Sequence, residues 1–275
     1  MDDKTLWHPA FYESALVTFD EYKGELIFES EHQLVSGPLE IDMLIIKKKH
    51  DVPIRKAIAE IFRKHNIIEY KSPDVSLSVD DFYKAYAYVC LYKTLERVEI
   101  TDLTLSFVLT AYPRKLTRHL EQTRGYTVVE RHPGIYDVKG DILPMQIIES
   151  KRLEGDENFW LRNLGAKLSV DRLNDIFRMR GEKGAGYNLN AYMFAVMNAN
   201  AATMEANMRV SPTLMRVIEK SGLGAKLRAA GEIAKAQAIA RNALKMNMPP
   251  DDISTLTGMS TREIKRLRKD GSGTV

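Results

Sequence analysis

Between residues 9 and 153 the apolar positions alternate between the spacing of a helix and the spacing of a strand. PAFYESALVTFDEY (Pro9–Tyr22) predicts a helix with its proline near the first turn. ELIFESEHQL and PLEIDMLIIKKK predict two strands joined by the turn VSGP. Ile54, Ile58, Ile61, Phe62 and His65 recur at helical spacing and predict a helix over 53–65. NIIEYKS predicts a third strand. Ser78 reads as an N-cap before an acidic first turn, opening the helix DDFYKAYAYVCLYKTL. LTLSFVLTAY is apolar throughout, the pattern of a strand covered on both faces. RKLTRHLEQTRG predicts a helix stopped by Gly125, YTVVERHPGIYDV a hairpin turning at His132-Pro133-Gly134, and LPMQIIES a further strand.

After Gly155 the strand signals fade. Helices are expected over Glu157–Leu164, Ser169–Arg180, Leu189–Met208, Thr213–Ser221 and Ala225–Lys245, with RGEKGAGYN and RVSPT as connections. MPPDDISTLTGMSTREIKRLRKD predicts two short helices about a turn at Gly258-Met259-Ser260, sharing a small core of Ile253, Leu256, Met259, Ile264 and Leu267. Ser260 and Glu263 have the spacing of a capping box. The expected organisation is a mixed α/β domain over 1–153, a helical region over 154–246 and a helix-turn-helix-like hairpin over 247–270.

The chain's 275 residues are 44% hydrophobic and 28% charged, an ordinary globular composition. No apolar run is long enough for a membrane span, and the start lacks the basic and apolar stretches of a secretory signal. Cys90 is the chain's one cysteine and lies in an apolar helical run, which predicts a buried thiol and a cytoplasmic protein. The net charge is +3, but Glu205–Asp270 holds 13 Lys and Arg against 7 Asp and Glu. A basic tail on a mildly acidic body suits nucleic acid, and equally a solvated helix face. The six histidines show no zinc-site spacing, and neither a P-loop nor a GxSxG elbow occurs.

Charge inside the strands is the anomaly. Asp42 interrupts the apolar run of the second strand, and Glu69 and Lys71 lie in the third, where alternation puts Ile67, Glu69 and Lys71 on one face and Ile68 and Tyr70 on the other. Burying an unpaired carboxylate costs several kcal/mol. That cost is accepted if the carboxylates face a cation. Asp42 and Glu69 on neighbouring strands would supply hard oxygen ligands for Mg2+ or Mn2+, with Lys71 beside the ion. A metal-activated water and an adjacent ammonium are the means of phosphodiester hydrolysis. The plainer alternative is a structural pair between Asp42 and Lys71 across two strands.

PLEID, followed 27 positions after Asp42 by EYK, resembles the PD-(D/E)XK nuclease superfamily, and within it bacterial and phage proteins of the recombination-promoting nuclease or transposase-associated type. The resemblance covers about residues 7–153, with an echo at the C-terminus, and departs from the literal motif because Pro38 stands four residues before Asp42. It implies a restriction-endonuclease-like αβββαβ core with a C-terminal all-helical region. It also implies Asp42 and Glu69 as metal ligands and Lys71 as the catalytic cation, acting on DNA, with RNA not excluded. Glu13 on the first helix is implied as a further metal-side carboxylate, against a plain surface role. Glu31 on the first strand is weighed in the same way. Lys84 and Tyr88 resemble the QxxxY element of RecB-like nucleases, with lysine for glutamine, and equally fit a snorkelling lysine beside a core tyrosine. In the C-terminal hairpin, Arg262, Lys265, Arg266, Arg268 and Lys269 would face DNA, or the hairpin would serve packing or dimerisation. The expected activity is a Mg2+-dependent DNA endonuclease of a mobile element, phage or defence system. The alternative is a catalytically silent nucleic-acid-binding or assembly protein; in either case the helical region could join protomers in a homo-oligomer.

Overall fold

The computed structural model describes residues 4–30, 43–182 and 188–207, together with 240, 244, 249–250, 253–254, 259–261 and 264. The chain divides into two compact units, Asp2–Val210 and a second comprising Ser211–Val275 with Met1.

In the first unit, α1 (Lys4–Thr18) precedes β1 (Leu26–Ser30), β2 (Met43–Lys48) and β3 (His65–Tyr70). Next come α2 (Val79–Glu96), β4 (Leu103–Leu109), α3 (Arg114–Arg124), β5 (Thr127–His132), β6 (Ile135–Lys139) and β7 (Met145–Glu149). The strands form one seven-stranded mixed sheet in the order β1-β2-β3-β4-β7-β6-β5. β1, β2 and β3 are antiparallel, α2 carries the chain over to β4, which runs parallel to β3, and β7 is parallel to β4. β5 and β6 form the expected hairpin, with Gly134 at φ 77°, a conformation that favours glycine. The fold is mixed α/β, as the alternating periods predict.

The sheet is covered on both faces, which is why all seven residues of β4 are buried. On one face Met43, Ile45, Ile67, Leu105 and Phe107 pack with Phe82, Tyr88 and Tyr92 of α2 and with Leu116 and Leu120 of α3. On the other, Tyr70 stacks on Phe11 of α1, ring centroids 4.4 Å apart. Four short helices, α4 (Phe159–Arg162), α5 (Val170–Glu182), α6 (Asn190–Ala199) and α7 (Ala201–Asn207), complete this unit, with α4 and α6 against α1.

Several elements differ from expectation, each for a local reason. α1 begins at Lys4, so Pro9 lies inside the helix rather than in its first turn. The segment 53–65 is not a helix; it makes one 3-10 turn, Ala57–Ala59, and His65 already opens β3. Side chains from the sheet hold it irregular. Asn66 Nδ2 donates to Arg63 O and Ile46 O, its Oδ1 accepts from Arg63 N, and Gln146 Nε2 donates to Ile58 O at 2.8 Å. Residues 157–164 hold only a 3-10 turn and the single turn of α4. The helix expected over 189–208 is broken at Asn200, whose buried amide bonds Gly165 O, Val196 O and Leu168 N. Cys90 is exposed rather than buried, because α2 is apolar on its outward side as well.

In the second unit Ala240, Ile253 and Ile264 form a small core, with Leu244 and Met259 against it. Ile253, Met259 and Ile264 therefore meet as their spacing predicts. Leu256, Leu267 and the helices expected over 213–221 and 225–245 lie wholly or mostly outside the described residues, as does the VSGP turn.

The network beneath the sheet is buried and saturated: Thr104 Oγ1 donates to Asn66 Oδ1, and Gln146 Nε2 also donates to Ser106 Oγ. Asn66→Leu strands the backbone groups of Arg63 and Ile46. It should lower the unfolding free energy by about 1–3 kcal/mol in urea titrations. A change under about 0.5 kcal/mol would mean that the loop is held by other contacts.

Candidate active site

β3 runs between β2 and β4, so a side chain at its end has neighbours on both sides. Glu69 lies opposite Met43 of β2 and Phe107 of β4. Its own strand neighbour Ile67 is fully buried on the same face. Beyond the strand, Lys71 N still donates to Val108 O of β4 at 2.9 Å, holding the backbone extended for one more residue. Lys71 thereby returns to the face of Glu69, as the alternation predicts, and Nζ meets Glu69 Oε1 at 2.9 Å. The two side chains are 13% and 17% exposed, so the pair is largely removed from water.

A third member comes from α2. Ser78 caps this helix: its hydroxyl accepts from Asp81 N at 3.0 Å, and Asp81 Oδ2 accepts from Ser78 N at 2.9 Å, a reciprocal capping box. The other carboxylate oxygen of Asp81, Oδ1, accepts from Lys71 Nζ at 2.8 Å. Lys71 is therefore held between two carboxylates, one from the strand and one from the helix.

The electrostatics follow from this arrangement. Burial pushes the Glu69 carboxyl up, and the charges of Lys71 and Lys84 draw it back only in part. Burial pulls the Lys71 ammonium down, but Glu69 and Asp81 outweigh it and the net shift is upward, favouring the cation. Burial also pushes Asp81 up, yet the bonds from Lys71 and Ser78 dominate and bring its carboxyl down to about 2. Glu69 is thus the under-compensated charge of the three.

The other expected site residues fall in different places. Lys84 is exposed on α2 and its charge reaches Glu69, while Tyr88, one turn on, is buried in the α2 core and its phenol is pushed up by burial. Glu13 is neither at this site nor on the surface. It is buried on α1, the helix that stacks on Tyr70 on the opposite face of the sheet from Glu69. Its Oε2 accepts from Tyr192 N at 2.8 Å, at the start of α6. Burial pushes Glu13 up, and the backbone bonds from Tyr192 and Ala191 and the Arg180 charge offset this in part. The carboxylate serves as a capping group supplied from another helix. Asp42, Glu31, Arg262, Lys265, Arg266, Arg268 and Lys269 lie outside the described residues.

Asp81 is the member that sequence reasoning missed as a site residue. Its signal, Ser78 followed three residues later by an acid, was legible as a cap, and the cap accounts for only one of its two oxygens. Among the described residues no group of three or more His, Cys, Asp and Glu could hold a metal ion. No family model matches the chain, and no curated protein or solved structure matches it.

The depressed Asp81 carboxyl makes a pH prediction. Its contribution to stability is fully present above the usual carboxylate range and is lost as pH falls from about 4 to its folded value of about 2. The shift corresponds to a contribution on the order of 2 kcal/mol. Glu13 and Glu69 are raised and act in the opposite sense, so the Asp81 contribution is read as a difference. Asp81→Asn should be less stable than the parent by roughly that amount at pH 6, and the gap should close below about pH 2. A gap independent of pH in urea unfolding would show that the ion pair is not its source.

Proposed function

We propose that the protein is a divalent-metal-dependent nuclease acting on DNA, with Glu69 and Lys71 as its catalytic strand residues. One observation carries the reading: Glu69 and Lys71 share one face at the end of a central strand, within contact of each other, in a chain whose motif resembles the PD-(D/E)XK superfamily. The connectivity supports it as well. An initial helix, three antiparallel strands, a helix and a parallel fourth strand follow the order that the resemblance implies.

In this reading Glu69 and Asp42 hold a Mg2+ or Mn2+ ion, and the donor chemistry fits in part: Glu69 is a hard oxygen ligand whose buried charge is incompletely compensated. When bound, the ion supplies Lewis-acid activation of water and neutralises charge on the phosphate. Lys71 donates to the phosphate oxygen on which charge builds, and Asp81 holds the Lys71 side chain in the orientation for it. Lys84, exposed and electrostatically linked to Glu69, adds positive charge at the rim for the nucleic-acid backbone.

The register of β2 places a demand on this reading. Met43 sits on the face of Glu69, so strict alternation assigns position 42 to the other face. Asp42 can join Glu69 only if the chain leaves strand geometry between 42 and 43. A second reading is favoured by the bridging of Lys71 between Glu69 and Asp81, which gives both carboxylates a cationic partner within the protein. In that reading the same fold binds nucleic acid or assembles without cleaving.

Purified full-length protein should cut DNA with Mg2+ or Mn2+ and not with EDTA. Glu69→Gln and Lys71→Met should each reduce the rate by about a hundredfold or more. Asp42→Asn should match Glu69→Gln if the two share an ion. Folded protein that cuts neither single- nor double-stranded DNA or RNA, or cleavage that survives EDTA and both variants, would overturn the nuclease reading. Binding without cleavage would favour the second.

A further inference from the structure

The outward side of α2 carries an apolar stripe. Its inward face is filled by Phe82, Ala85, Tyr88, Val89 and Tyr92. On the outside, Tyr83, Ala87, Leu91 and Leu95 follow one another at four-residue spacing, flanked by Cys90 and Thr94, and all six are exposed. Tyr83, Leu91 and Leu95 are 39%, 43% and 52% exposed, three of the few large apolar side chains left open among the described residues. A helix with apolar residues on both sides belongs to a helix covered on both sides. Lys84 is the one charged residue among the exposed positions from 83 to 95, and Tyr83 beside it is also bonded to His119 of α3, so the uncharged part of the stripe runs from Ala87 to Leu95.

We infer that α2 is a dimer interface, and that what covers it is α2 of a second copy, running antiparallel about a two-fold axis near residue 89. The stripe is complementary to its own reverse. About that centre Tyr83 of one copy faces Leu95 of the other, and Ala87 faces Leu91, so each bulky side chain meets a different and, at the centre, a smaller one. The ends are complementary in charge. α2 begins with exposed Asp80 and ends with Lys93, exposed Glu96 and exposed Arg97, so antiparallel apposition about this axis sets Asp80 of each helix beside Arg97 of the other. It also opposes the two helix dipoles. A parallel pair would place like ends together. Cys90 lies one residue from the axis, which brings the two thiols close to each other.

Because the chain has a single cysteine, its cross-linking reports on this face alone. Full-length protein should sediment as a dimer that dissociates on dilution, and a short bismaleimide should join two chains through Cys90. Leu91→Lys and, separately, Leu95→Lys should weaken the dimer by about a hundredfold or more while leaving the melting temperature of the monomer in place. Asp80→Arg should weaken it about tenfold, and adding Arg97→Asp should restore it. A monomer at every concentration overturns the inference. So does a dimer that ignores both lysine variants, or one in which Cys90 is not joined. If Leu91→Lys fails to fold, Leu95→Lys and the charge exchange decide the matter.

Discussion

A carboxylate on the buried face of a central strand has to be compensated, and much of the arrangement around β3 follows from how Glu69 is. Lys71 is the nearest residue that alternation returns to the same face, and its backbone stays extended because its N–H is still bonded to β4. One ammonium beside one carboxylate, mostly out of water, is itself incompletely solvated. Asp81 supplies the second acceptor, and its position is fixed by the capping box that starts α2. The same carboxylate thus terminates the orphan donors of a helix and ties that helix to the charged end of the strand. A local signal for helix initiation and a long-range ion pair are satisfied by one side chain, so the point at which α2 begins is set relative to the site.

The opposite face solves a different problem with neutral groups. Asn66, Thr104, Ser106 and Gln146 are fully buried there, on β3, β4 and β7, and each is bonded. Their amides reach out to the backbone of 58 and 63 and give an irregular segment the hydrogen bonds that a helix would have supplied internally. Glu13 does the equivalent for α6, satisfying N–H groups that the first turn of a helix leaves open. Asn200 does so again between α6 and α7. In all three places a buried polar side chain replaces secondary structure as the partner of the backbone.

That replacement marks where the sequence was legible and where it was not. β3, α2, β4, α3, the hairpin and β7 were readable because period, cap and turn residues agree with the tertiary environment. The helix expected over 53–65 failed because its apolar positions, Ile54, Ile58 and Phe62, do face the core, but from a loop. Periodicity reports burial, and it cannot report that Asn66 and Gln146 have claimed the carbonyls. Cys90 was misread for a related reason: apolar neighbours on a helix imply burial only when one knows which side meets the sheet, and α2 is apolar on both. Glu69 and Lys71 were legible because two-residue alternation survives any packing. Asp81 was half legible, since its cap is local and its bond to Lys71 spans ten residues. Glu13 could not be read at all, because its partner is 179 residues away.

The contrast between Glu13 and Glu69 separates structure from chemistry more sharply than burial does. Both are buried carboxylates raised by desolvation. Glu13 is met by backbone N–H groups at a helix start, donors that the fold must satisfy in any case, so its presence is explained once α6 is in place. Among the described residues Glu69 is bonded by Lys71, with the charges of Lys84 and Asp81 acting on it, and it caps no helix. Exchanging a buried ion pair for well-packed hydrophobic side chains is often neutral or stabilising, but replacing Glu69 and Lys71 would also take from Asp81 the ammonium that its Oδ1 bonds. The fold gives a reason for Asp81 and for Glu13. For Lys71 it gives one as well, the bond to Asp81 that ties α2 to the strand, and Glu69 is left with its burial offset only in part.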